Sequence, residues 1–212
     1  MLKDISKELK AHAPFTMAGA ATGIVIMVIM AYGRVTDTVS HTLFWFFHPI
    51  HILLSALVTA GMYRLHGRGS LRTTILVGYL GSIGIATVSD CIIPYVGEYL
   101  LGLPNRGVHF GFIEKWWLVN SLAAAGIAIA YRWPNTRFPH AGHVLLSTWA
   151  SLFHMTMALE GQPGVVMVGL IAVFLFVAVW IPCCTSDIVF PLLFTKEDKL
   201  RVPHGVAYDT SR

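Results

Sequence analysis

Apolar residues run along this chain in long unbroken stretches, at 14–33, 42–63, 73–96, 110–131, 140–158 and 165–194, rather than in the short alternating segments of a soluble domain. Each stretch is near or above the length of about 20 residues that a helix needs to cross a bilayer core. Only helices and closed barrels satisfy their backbone polar groups in lipid, and runs this long without alternation predict helices. The pattern therefore predicts an all-α integral membrane protein of six transmembrane helices. The fifth stretch is the shortest and most polar.

A second pattern lies over the first. His48-Pro49-Ile50-His51-Ile52-Leu53-Leu54-Ser55 recurs as His140-Ala141-Gly142-His143-Val144-Leu145-Leu146-Ser147, with both histidines, both leucines and the serine at the same spacing. Downstream, Ser89-Asp90 followed by Pro94 recurs as Ser186-Asp187 followed by Pro191, in the same order. A looser correspondence precedes both: His12 opens a stretch that ends at Tyr32, and His109 one that ends at Tyr131. The chain thus divides into an N-terminal segment (1–13), a first three-helix repeat (14–103), a second (104–194) and a polar tail (195–212). Three is odd, so the second copy enters the membrane from the opposite face. Two inverted-topology three-helix repeats are the predicted architecture, one used by transporters and channels.

Composition and charge narrow this further. Of 212 residues, 55% are hydrophobic and only 12% charged, too little polar surface to cover a soluble globule of this size. The mean hydropathy is +0.65. The formal charge of +4 raises the question of nucleic acid, but the basic residues sit in short segments between apolar stretches, where membrane orientation explains them. The N-terminus, residues 64–72, residues 132–139 and the C-terminus carry most of the Lys and Arg, and the opposite side only Arg34, Arg106 and Lys115. The positive-inside bias then places both termini in the cytoplasm, consistent with a prokaryotic cytoplasmic membrane, with no cleavable signal peptide expected. Cys91, Cys183 and Cys184 are odd in number and show no CxxC spacing, so a disulfide framework is not expected; small buried residues are the commoner reading, with Cys183 and Cys184 as soft metal ligands the alternative.

The chemistry resides in the repeated motifs. Histidines three apart on a helix share a face and can ligate one ion, which applies to His48 with His51 and to His140 with His143. Ser55 and Ser147 share those faces and could orient a ligand ring. The competing reading for either pair is an interfacial histidine. Asp90 and Asp187 lie in apolar surroundings, where a carboxylate needs a proton, a partner or a cation. Pro94 and Pro191 remove a backbone donor near each aspartate and predict local opening of the helix, whose freed carbonyls could help bind an ion. The competing reading is that each helix simply ends there. The predicted topology groups His48, His51, Asp90 and His109 toward the outer half and His12, His140, His143 and Asp187 toward the inner half, as two sites or one. Either set suits a divalent transition metal ion such as zinc, iron or manganese. Glu98 and Glu114 could line an entrance or be solvated, and His154 could extend a pathway or bond between helices. Gly19 and Gly23 predict a close helix contact, and Met27, Met30, Met155 and Met157 core filling.

The first functional expectation is a divalent metal ion transporter or channel. The alternatives are a membrane redox subunit binding haem b through histidines of different helices, and an intramembrane metalloenzyme using the same ligands. The sequence contains no HExxH, GxSxG, Walker or GxGxxG motif to support protease, esterase or nucleotide chemistry. Expected partners are the lipid bilayer, a metal ion and a further copy of the chain; nucleic acid is not expected.

Overall fold

The computed structural model describes residues 2–33, 37–66, 70–134 and 137–200, and among the described residues the fold is helical with no strand. The helices are α1 (Leu2–Tyr32), α2 (Asp37–His66), α3 (Leu71–Leu100), the single turn α4 (Gly111–Glu114), α5 (Trp116–Arg132), α6 (Arg137–Met157) and α7, which runs over 165–200. Helix α2 is central. It packs along α3, α5 and α6 and meets the last part of α7, while α1 lies against α6 and the first part of α7.

Among the described residues three helices are long and apolar enough to cross a membrane: Asp37–His66, Leu71–Leu100 and Val165–Cys183; Thr16–Met30 is a shorter apolar helix. Helix α5 has 17 residues. The 21 residues of α6 interleave Ser147, Thr148, Ser151 and His154 with apolar positions, and all four are buried. Side chains are distributed inside out relative to a water-soluble bundle. Val165, Val166, Val173, Ile29 and Met17 are more than half exposed, whereas His48, His51, Ser89, Asp90, Glu98, His143 and His154 are at most 1% exposed.

Backbone contact in such a bundle depends on small residues. A Cβ added at Gly19 would lie 2.9 Å from Thr148 Oγ1, and one at Gly23 3.5 Å from Leu152, so the predicted glycine surface of α1 is its seat on α6. Met27 and Met155 fill the core beside Leu152, Ile171 and Leu175.

Both Ser-Asp-x-x-x-Pro copies widen their helix by one residue instead of ending it. Helix α3 has π turns at Leu80–Gly84 and Val88–Ile92, and α7 has one at Thr185–Val189. The turn at Val88–Ile92 contains Ser89 and Asp90, and that at Thr185–Val189 contains Ser186 and Asp187. In a π turn the N–H donor of residue 94 would reach back to the carbonyl of Ser89, and proline has none. Ser151 Oγ of α6 donates to that carbonyl instead, at 3.0 Å. On α7, Ser186 Oγ donates to Gly81 O at 3.3 Å and lies 3.2 Å from Thr59 Oγ1 of α2. The helix irregularities are thus stitched by hydroxyls from neighbouring helices.

Helix α3 ends in a Schellman turn: Gly102 adopts φ +65°, Leu103 N–H donates to Glu98 O at 2.9 Å and Gly102 N–H to Tyr99 O at 3.2 Å. The following segment folds back over the end of the bundle, where Asn105 N–H donates to Ala158 O at 3.3 Å.

Candidate metal centre

Helix α2 presents His48 and His51 on one face, as their spacing requires. Asp90, in the widened turn of α3, meets both. His48 Nδ1 and His51 Nδ1 approach the same carboxylate oxygen, Oδ2, at 2.9 and 2.6 Å. The other oxygen, Oδ1, accepts from Ser89 Oγ at 2.7 Å, from Ser147 Oγ of α6 at 2.8 Å and from Ser151 Oγ at 3.5 Å. All six side chains are buried. A carboxylate offers about four lone-pair sites, and here imidazoles and hydroxyls occupy them. That saturation is what allows a carboxylate to remain in a dry interior, since an unpaired one would cost several kcal/mol.

The surroundings determine which atoms of these rings remain accessible. Phe44 stacks on His48 with ring centres 5.1 Å apart. A Cβ at Gly111 would overlap His48 Nε2, so the backbone of α4 lies against that nitrogen; Nδ1 is held by Asp90, and Nε2 of both His48 and His51 is buried without a hydrogen-bond partner. One donor atom each of His48, His51 and Asp90 lie within 4.8 Å of one another, and the same is true of His51, His143 and Cys183. His51 belongs to both triads. Its ring centre is 4.7 Å from that of His143, and His140 extends the row, stacked 5.9 Å beyond.

Of the predicted site residues, the structure brings His48, His51 and Asp90 together, adds His143 from the second half of the chain, and sets His140 beside it. It does not bring His109 to Asp90. His109 instead faces Glu114, with Nδ1 3.4 Å from Oε2, and the ring of His154, 5.5 Å away. The side chains of His12 and Asp187 lie outside the described residues, as does that of Cys184. Ser147 bonds the aspartate of the other half rather than a histidine of its own helix. Ser151 was not singled out from the sequence, although Ser147, Ser151 and His154, spaced by four and three, trace one polar face of α6.

Two imidazoles, a carboxylate, a third imidazole and a thiol in one dry cluster are donors for zinc or a ferrous ion, the thiol making a purely oxygen-loving ion a poorer match. Compared with known protein families, with curated proteins and with solved structures, the chain matches none of them.

Proposed function

We propose that this chain is an integral membrane protein of six crossings, arranged as two inverted three-helix halves (14–103 and 104–194), that binds a divalent transition metal ion at its core and carries it across the bilayer. The observation that carries the reading is the pair of buried donor triads sharing His51, one of which takes His143 and Cys183 from the other half. An ion there would draw its donors from His48, His51 and Asp90, with His143 and Cys183 as the next donors along. Two overlapping donor sets favour passage, because an ion can exchange one set for the other without leaving protein ligands.

Several features support the inverted halves. The repeated motifs carry matching π turns, and each Ser of a Ser-Asp pair bonds a hydroxyl on the His-x-x-His helix of the opposite half: Ser89 with Ser147, and Ser186 with Thr59. Apolar exposed flanks on α1, α3 and α7 suit lipid. Haem ligation by His48 is disfavoured by the backbone of Gly111, which occupies the space a porphyrin would need at Nε2.

The test is flux. Proteoliposomes loaded with a zinc-sensitive dye should show uptake with wild type and none with Asp90→Asn. An ion that binds stoichiometrically but does not cross would reject transport and leave a resident metal, the metalloenzyme reading.

A further inference from the structure

A second buried carboxylate–imidazole pair lies farther along the same two helices. Glu98 of α3 and His154 of α6 are each 1% exposed, and His154 Nδ1 is 2.7 Å from Glu98 Oε1. The other oxygen, Oε2, accepts from the backbone N–H of Gly107 at 3.3 Å. His154 Nε2 is buried and has no hydrogen-bond partner. A histidine whose Nδ1–H is held by a carboxylate, leaving Nε2 as a lone pair, is the usual preparation for metal ligation. Nothing in packing alone requires a dry ring nitrogen without a partner.

The neighbouring groups complete the arrangement. The ring centre of His109 is 5.5 Å from that of His154. Two imidazoles sharing a tetrahedral ion, with metal–nitrogen bonds of about 2.1 Å, place their ring centres about 5–6 Å apart. His109 also has Glu114 beside it, and their side chains are 28% and 38% exposed, so this cluster opens toward the outside of the bundle. A single ring separates it from the inner centre: Phe44 lies 5.4 Å from His154 and 5.1 Å from His48.

We infer that His154 and His109, with Glu98 orienting the first and Glu114 adding charge at the mouth, form a second and weaker subsite for the same class of divalent ion, a loading site ahead of the inner centre. The inference rests on the metal reading above. It is weaker than the inner site because it offers two imidazoles with solvent completing the shell, and its carboxylates are an orienting residue and a half-exposed one.

Cobalt(II) titration of the purified full-length protein in detergent, followed by visible absorption and by bound metal, tests it. The expected result is two classes of site, the second weakened at least tenfold in both His109→Ala and Glu98→Gln while the first is unchanged. Retention of the first class also shows that each variant is folded. A first class with no second in wild type, or a second class unaltered in both variants, overturns the loading site alone. No cobalt bound in either class overturns it together with the inner centre.

Discussion

Asp90 and Glu98 stand about two helical turns apart on α3, and both are buried carboxylates that hold an imidazole through Nδ1, yet they are built differently. Asp90 is bonded by side chains of α2, α3 and α6, so its environment exists only when the two halves of the chain are packed together. Glu98 has one imidazole from α6 and one backbone N–H from the segment after α3. The comparison shows that burial of a charge does not by itself define a site. What differs is how many helices converge on the carboxylate: the imidazoles at both leave a buried Nε2 without a hydrogen-bond partner, but beside Asp90 that of His48 lies against the backbone at Gly111.

Substitutions at the two carboxylates should therefore separate widely. Asp90→Ala leaves two imidazoles and the hydroxyls of Ser89 and Ser147 without their carboxylate in a dry interior, Ser151 keeping the Ser89 carbonyl, and we expect a loss of about 3–5 kcal/mol, read as a lowered unfolding temperature in detergent. Gly111→Ala forces a methyl group into the edge of His48; it should cost about 1–3 kcal/mol and lower inner-site affinity about tenfold, because the displaced ring no longer presents Nδ1 beside Asp90. Equal metal affinity in wild type and Gly111→Ala would show that the cover on Nε2 has no bearing on ligation. Ser151→Ala removes the donor to the Ser89 carbonyl that Pro94 cannot serve, a loss of about 1–2 kcal/mol in the same unfolding assay. Glu98→Gln should be the mildest, about 1 kcal/mol, since the single amide oxygen can keep the bond from His154 while the Gly107 N–H, at 3.3 Å, loses its acceptor to an NH2 group. A larger loss at Glu98 than at Asp90 would invert the comparison.

Much of this was legible in the sequence because long apolar runs make the pattern simple. Apolar runs set the helices, and a motif repeated with its spacing intact drew attention to His48, His51 and Asp90. The π turns were legible in kind, from Pro94 and Pro191, but not in outcome: whether a proline ends a helix or widens it depends on a neighbour that can serve the freed carbonyl, and Ser151 is some sixty residues away. His109 illustrates the opposite limit. Its position at the start of an apolar run suggested a partner for Asp90, but Phe44 stands between it and His48, and no spacing rule predicts which ring of a different helix fills a gap. Cys183 was one of two adjacent thiols with nothing local to distinguish them; its place beside His51 and His143 arises only from the way α7 crosses α2.

The most direct test of the central claim is the metal content of detergent-purified protein, measured by elemental analysis with a visible spectrum taken alongside, for wild type and for Asp90→Asn. The account predicts a colourless protein that retains about one equivalent of zinc or iron in its tight site after reconstitution and desalting, with that equivalent lost in the variant. Wild-type protein that retains no metal, retains it equally with Asp90 replaced, or shows a Soret band would contradict it.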